Sequence, residues 1–555
     1  MGPCKMQDVS FCADFCGPGA VSLFTREAGC GFVTGENFHT DRTLRIPELN
    51  SGFQPVWWHG NAPLTRLVRD ENGVHARAAA ELPAGELAGR ALPLWYKVLA
   101  PCEGVYRLRL TLHGLYGGEV LVFAGRRRLV WRGELPAGRE QVVEALTDLT
   151  PIIPGGETRP ARDDTLDVTV IGPAALRRLT VERVAEDQAR RIFVLGDSTV
   201  TDQTAAVPYA PGTSYAGWGQ MLPWYLPEGW CVSNHAHSGL TTESFEEEGH
   251  WAVVEPRLRP GDFCLMQFGH NDQKRPHLTA RGGYTRRLRS YVKRVRARGA
   301  VPVLVTPLAR NSWTTGGQYN DLLRDYAEAV FALGREENVP VIDLHGESMA
   351  LIVREGLETA KQWFYPGDFT HTCDYGACRM AAFLAGQLSG LLGACAPARP
   401  DWTPAEPRLP LTPPEGCTLA PPAGGEDPIA LCETRRPGEI LTRMEALELV
   451  VAAMKFFPTN AYSSPLADIV GQDPRAVTVQ TAIQNGIVPA AWTRDGSLHP
   501  TAPVRLGEFL AVLMPGYATR RLLPRDMEQQ MVGDADRAAP LTRRDAAAIC
   551  RKIEF

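Results

Sequence analysis

The chain has 555 residues, of which 44% are hydrophobic and 22% charged, and its formal net charge is -5. This is ordinary soluble-protein composition with enough apolar material for several cores, and the length implies a multidomain chain. A balance so close to neutral gives no general argument for nucleic acid or a membrane surface as a partner, and neither is expected.

The first residues, Met-Gly-Pro-Cys-Lys-Met-Gln-Asp, show no basic segment followed by an apolar run, so no signal peptide is visible. The chain as given is expected to be cytoplasmic, or secreted or cell-surface if its start is misassigned. Of thirteen cysteines, Cys4, Cys12, Cys16 and Cys30 lie early, but their spacings fit no familiar zinc finger. Reduced thiols and no metal site are expected. Residues 1–187 read mostly as strand. Tyr106-Arg-Leu-Arg-Leu-Thr-Leu112 alternates apolar and polar, and 119–123, 128–131, 166–171 and 179–184 are further strands between Gly and Pro clusters. The pattern predicts a β-sandwich. Trp57, Trp58, Trp95 and Tyr96 are candidates either for its core or for stacking on sugar rings.

Residues 188–395 alternate strand and helix, which predicts a parallel sheet covered on both faces. Ile192 to Leu195 has the length of a buried strand, and Gly196-Asp197 breaks it just before Ser198. A serine at the carboxyl end of such a strand stands where open α/β sheets bind ligands. It needs a base. Gly367-Asp368-Phe369-Thr370-His371 offers one, since Asp and His three apart in one loop can place a carboxylate against the imidazole. Gln267-Phe268-Gly269-His270-Asn271-Asp272 supplies a side-chain amide that can donate to an oxyanion. His235 and His237 compete as bases. Further elements are strands at 263–268, 301–306 and 339–343, a basic helix at 284–298 whose Arg and Lys read as a solvated face, and helices at 320–338 and 375–392. The last of these contains Arg379 and Gln387 and is no membrane span. Lys274 and Arg275, directly after Asn271, are candidates for gripping a substrate carboxylate, or are solvated surface charges.

Together, Gly196-Asp-Ser-Thr-Val-Thr-Asp202, Asn234-His-Ala-His-Ser-Gly239, Gly269-His-Asn-Asp272 and Asp368-x-x-His371 resemble the SGNH, or GDSL, hydrolase superfamily. They are most similar to its rhamnogalacturonan acetylesterase branch. The resemblance spans 188–395 and implies a three-layer α/β/α, flavodoxin-like hydrolase needing no cofactor. Ser198 would be the nucleophile, His371 the base and Asp368 its orienting carboxylate, with the Ser198 N–H, the Gly239 N–H and the Asn271 side chain forming the oxyanion hole. The implied reaction is removal of acetyl groups from pectic, rhamnogalacturonan-type carbohydrate. A lipase or thioesterase, an esterase on xylan or mannan, and a sugar-binding scaffold with a vestigial hydrolase are the alternatives. Asp14-Phe-Cys-Gly-Pro-Gly with Gly31-Phe-Val-Thr-Gly35 resembles the galactose-binding-like module found before such esterases.

Residues 396–436 read as a stiff proline-rich linker. Residues 437–555 carry a near-repeat that starts helices at Leu441-Thr-Arg-Met-Glu, Arg505-Leu-Gly-Glu and Leu541-Thr-Arg-Arg-Asp. With Asp495-Gly-Ser-Leu-His-Pro500 it resembles the S-layer homology repeat, shortened in its last unit. A mostly helical, separable region is expected. Its Leu447, Leu449 and Val450 require burial against the hydrolase or a second chain, and a homo-oligomer or a cell-wall polymer is the partner it would serve.

Overall fold

The computed structural model describes residues 10–34, 58–59, 65–78, 92–125, 127–153, 158–161, 163–203, 205–206, 209, 211–313, 319–392, 427–454, 466–469, 475–484, 486–520 and 526–553. Cys4, Trp57, the Trp58 side chain and most of the proline-rich stretch lie outside them. Among the described residues no helix is long and apolar enough to cross a membrane.

The amino-terminal strands form two antiparallel sheets. One has the order Glu140–Leu149, Gly104–Gly114, Ala174–Arg183, Gly73–Ala78, Thr65–Asp70, with Ser10–Asp14 also paired to Ala174–Arg183. The other runs Cys30–Val33, Leu94–Leu99, Thr165–Ile171, Glu119–Ala124, Arg128–Glu134. Alternation decides which side chains face inward. Leu108, Leu110 and Leu112 point into a core shared by both sheets, while Arg107 and Arg109 point out. Trp95 and Tyr96 are core residues, 0% and 4% exposed, so they are not sugar-stacking platforms. Tyr96 packs edge-on against Phe15 and Phe32. The Trp95 indole N–H donates to Asp167 (2.6 Å), which also meets the buried Lys97.

A five-stranded parallel sheet follows, in the order Trp230–Asn234, Arg190–Gly196, Phe263–Gln267, Val301–Val305, Val341–Ile342. Ile192 pairs with both Val232 and Phe263. Ile192 to Leu195 are fully buried, as expected of a strand covered on both faces. Numbered by appearance, the strands lie 2-1-3-4-5, the flavodoxin-like order, whose ligand crevice opens where strands 1 and 3 leave the sheet. Ser198 follows strand 1, and Asn271 follows strand 3.

The chain divides into two compact units, Met1–Gln267 with Val292–Val303 and Ala360–Leu409, and Phe268–Tyr291 with Leu304–Thr359 and Pro410–Phe555. Within the first, buried charges tie the amino-terminal sheets to the parallel sheet. Arg128, 2% exposed, donates to the carbonyls of Val232 and Asp148. The Asp148 carboxylate accepts from Ser233 (2.6 Å) and lies 3.5 Å from Arg191, and Arg127 donates to the Asp202 carbonyl. The basic helix Thr285–Ala297 is not simply solvated. Its Arg294 pairs with Glu246 and Glu255 and lies over the Trp251 ring, and Arg289 pairs with Glu336 and Glu337.

Within the second unit, the carboxyl-terminal helices bury Leu447, Leu449 and Val450 in a core of their own. The three entry segments of the near-repeat close a ring of backbone bonds. Leu441 N–H donates to Leu541, Leu541 to Val504, and Val504 to Leu441. Thr442 and Glu445 form a capping box at one helix start, and Thr542 caps another. Helices Ala476–Gln484 and Leu506–Arg520 also touch the turns Asp272–Lys274 and Ala280–Tyr284.

Replacing Arg128 leaves the buried carbonyls of Val232 and Asp148, and the buried Asp202 carboxylate 3.9 Å away, short of their partner, which costs about 3–5 kcal/mol. Arg128→Met should therefore lower urea-unfolding stability by that order. Arg109→Ala, which breaks an exposed pair with Glu144, should change it by no more than about 0.5 kcal/mol.

Candidate active site

The turn after strand Arg190–Gly196 is built around glycine and a buried aspartate. A Cβ on Gly196 would lie 2.6 Å from Val200 Cγ2 and 2.7 Å from the Gln267 carbonyl, so no side chain fits there. Asp197 is fully buried, and its Oδ1 accepts from the Thr199 N–H (3.0 Å) and hydroxyl (2.8 Å). Gln267 donates to the same hydroxyl (2.6 Å) and accepts from the Trp218 indole (2.8 Å). These bonds hold Ser198, half-buried, at the end of the strand.

Ser198 Oγ lies 2.7 Å from His371 Nε2, and His371 Nδ1 lies 2.8 Å from Asp368 Oδ2. The other Asp368 oxygen accepts the backbone N–H groups of Thr370 (2.7 Å) and His371 (3.0 Å). The partners assign the tautomer: Nδ1–H donates to the carboxylate, leaving Nε2 to accept from the serine. Partial burial opposes the charge on Asp368, but the bonds from the His371 ring and from the two backbone N–H groups outweigh it. They hold its carboxyl well below the usual carboxylate range. The loop is pinned from behind. Thr372 exchanges backbone and hydroxyl bonds with Ala216, and the Tyr215 ring stacks on Tyr365 and meets His371 edge-on.

His235 and His237 are not brought to Ser198 Oγ. His235 is buried, stacked on Phe193, with Nε2 against the Ser233 hydroxyl (2.9 Å). His237 Nδ1 faces the Ser238 carbonyl, and burial lowers its pKa. Gly239 is exposed at φ +88°, with nothing within 4 Å of a built Cβ, so its backbone borders open space. Asn271 belongs to the second compact unit, where its Oδ1 accepts from Lys274 Nζ (3.0 Å). Lys274 thus meets the Asn271 amide, and Arg275 is exposed. Among the described residues no group of three or more His, Cys, Asp and Glu side chains could hold a metal ion.

Sequence reasoning missed Gln203. Its Nε2 donates to the Ser198 carbonyl (3.0 Å) and reaches the Ser238 hydroxyl (3.4 Å), bridging the serine turn to the Gly239 loop. Its backbone is bracketed in turn by the Gln220 amide. Only its position directly after Asp202 hinted at this. Tyr215 gave no local signal, because its partners lie over a hundred positions downstream.

Gln203→Ala should lower kcat on an aryl acetate by about 10–100-fold with little change in KM, because it loosens donor placement and not substrate contact. A second expectation concerns Asp374, which directly follows the His371 loop. Its carboxylate accepts from the Tyr209 hydroxyl and the Gly212 N–H (2.7 Å). Burial raises its pKa to about 6, although the bonds from Tyr209, Gly212 and Tyr375 oppose the rise. A raised folded pKa contributes stability that is full below the unfolded value of about 4 and is lost as pH rises through about 6, with a ceiling of about 3 kcal/mol. The stability margin of the wild type over Asp374→Asn, measured by urea unfolding, should therefore be larger at pH 4 than at pH 7.

The sequence profile of the GDSL-like Lipase/Acylhydrolase family matches residues 194–372. The rhamnogalacturonan acetylesterase RhgT of Bacillus subtilis (strain 168) is 36% identical over 215 residues, covering 36% of this chain and 90% of the relative. The probable rhamnogalacturonan acetylesterase YesY of the same organism is 35% identical, covering 37% and 94%. A solved structure of YxiM from Bacillus subtilis aligns over 69% of this chain and 98% of its own at 24% identity, with a TM-score of 0.36. With Ser198, His371 and Asp368 in hydrogen-bonded line inside the matched segment, the chain belongs to the GDSL-like lipase/acylhydrolase family and is a carboxylic ester hydrolase.

Proposed function

We propose that the protein removes O-acetyl groups from carbohydrate, with pectic, rhamnogalacturonan-type poly- or oligosaccharides as substrate. The observation that carries the chemistry is the line Ser198–His371–Asp368, at 2.7 and 2.8 Å. The substrate rests on the relatives named as rhamnogalacturonan acetylesterases.

Ser198 Oγ attacks the acetyl carbonyl while His371 Nε2 takes its proton, and the tetrahedral intermediate collapses as the imidazolium returns that proton to the departing sugar hydroxyl. Asp368, kept ionised, stabilises the imidazolium and fixes its ring. Water, deprotonated by the same imidazole, then releases acetate from the acyl-serine. The oxyanion is received by the Ser198 N–H, the Gly239 N–H and the Asn271 amide, each donor worth on the order of 3–4 kcal/mol in such sites. Arg275, and Lys274 beyond its bond to Asn271, are the cations nearest in sequence to that amide for a uronate carboxylate.

Acetate release from acetylated rhamnogalacturonan, xylan and mannan should be fastest on the first. Ser198→Ala should lose about 10⁶ in kcat on an aryl acetate, and Asp368→Asn about 10⁴. Preference for xylan or mannan would move the substrate assignment. Faster turnover of long-chain aryl esters than of the acetate would replace it with a lipase reading, and full activity in Ser198→Ala would remove the mechanism.

A further inference from the structure

We propose that the carboxyl-terminal helical region is a buttress for the loop that carries Asn271, and so sets the position of one oxyanion donor. The proposal rests on the role given to Asn271 above. Between Gln267 and the helix Thr285–Ala297 the backbone runs through consecutive single turns, closed by Lys274 to Asn271 (3.1 Å), Arg275 to Asp272 (2.8 Å), Leu278 to Arg275 (3.0 Å) and Gly282 to Thr279 (2.9 Å). Gly282 breaks the last turn at φ -111°, ψ -107°. Lys274 to His277 are exposed. A run of isolated turns has no ladder of its own, so its placement depends on what packs against it.

Within the loop Tyr284 donates to the Phe268 carbonyl (3.0 Å), and from the hydrolase side Tyr326 donates to the Leu278 carbonyl (2.8 Å). The carboxyl-terminal region holds it from the other. Helix Ala476–Gln484 touches the turn Asp272–Lys274, and helix Leu506–Arg520 touches Ala280–Tyr284. Between those helices, Gly486 lays its bare backbone on the loop. A Cβ there would stand 2.2 Å from Thr279 Cγ2 and 2.7 Å from the Pro276 carbonyl, and its φ is +65°. The contact is thus closed to any side chain. The supporting region is stiff because Val479, Phe509 and Leu513 lie in the core that also holds Leu447 and Val450. The link to the donor is direct, since Lys274, within the supported turn, hydrogen-bonds Asn271 Oδ1. Moving that turn moves the amide, and misplacement of a catalytic group by about 1 Å costs on the order of 10² in rate.

The test uses the full chain with Gly486→Val. It should lower kcat on an aryl acetate by about tenfold or more, leave KM within about twofold, and speed amide hydrogen exchange across 272–284. In an Asn271→Ala background the same substitution should cost less than about twofold further, because the donor it displaces is already gone. Gly496→Ala is the control. It imposes the same kind of backbone strain in the same region, at φ +83° with nothing within 4 Å, and should leave kcat within about twofold. Should Gly486→Val not fold, Gly486→Ala carries the same readings with the least added volume. Unchanged kcat and exchange in the Gly486 variant would overturn the proposal, as would an equal loss in the presence and absence of the Asn271 amide. A Ser198→Ala enzyme that still turned over would instead overturn the catalytic reading, and the exchange measurement would then judge the buttress without reference to activity.

Discussion

Everything at this site depends on one turn being held open at the end of a buried strand. A serine hydroxyl becomes useful only where it projects from the sheet, and the chain must reverse within three residues to put it there. The buried carboxylate of Asp197 makes that reversal stable by accepting two bonds from Thr199, while Gly196 admits Val200 and the Gln267 carbonyl at distances no side chain would tolerate. The far side of the turn is equally crowded, since a Cβ on Gly217 would stand 2.3 Å from the Val200 carbonyl carbon. A carboxyl group buried this deeply is tolerated only because it is hydrogen-bonded. The same bonds make the turn rigid before any substrate arrives, as preorganised catalysis requires.

The amino-terminal sheets are joined to the hydrolase through buried charge beside a small apolar cluster of Val105, Val184 and Cys231 and an edge-on contact of Trp131 with Trp224. Arg128, Asp148 and Arg191 are nearly dry, and their polar atoms reach the carbonyl of Val232 and the hydroxyl of Ser233 beside His235. Replacing such a network wholesale with apolar residues is often neutral for stability, whereas removing one member is costly. Arg127, in the same hairpin turn, bonds the carbonyl of Asp202, the last residue of the serine block. The accessory sheets therefore back the strand end from which Ser198 projects.

The carboxyl-terminal region follows a different logic. Its apolar faces close on one another, and the cyclic bonds among Leu441, Val504 and Leu541 join three helix entries that local capping has already fixed. A region with a core of its own presents a stiff outer surface, and part of that surface meets the turns after Asn271.

The sequence by itself determined the local chemistry and much of the secondary structure. Strand alternation at 106–112, the apolar run before Ser198 and the helices ending at Glu337 and Leu392 are legible because each depends on neighbours two to four positions away. The four blocks are legible for the same reason: Gly196, Gly239, Asn271 and the Asp368–His371 pair each sit in a turn whose geometry is written in adjacent residues. The resemblance already singles out His371 over His235 and His237, but the contact itself, Ser198 Oγ to His371 Nε2 across 173 positions, exists only in the tertiary structure. The tertiary structure also turned Trp95 and Tyr96 into the core, paired Arg294 with Glu246 and Glu255, and brought Gln203 to both the serine turn and Ser238. Those outcomes rest on the register of whole strands and the packing of distant elements, and no local period encodes them.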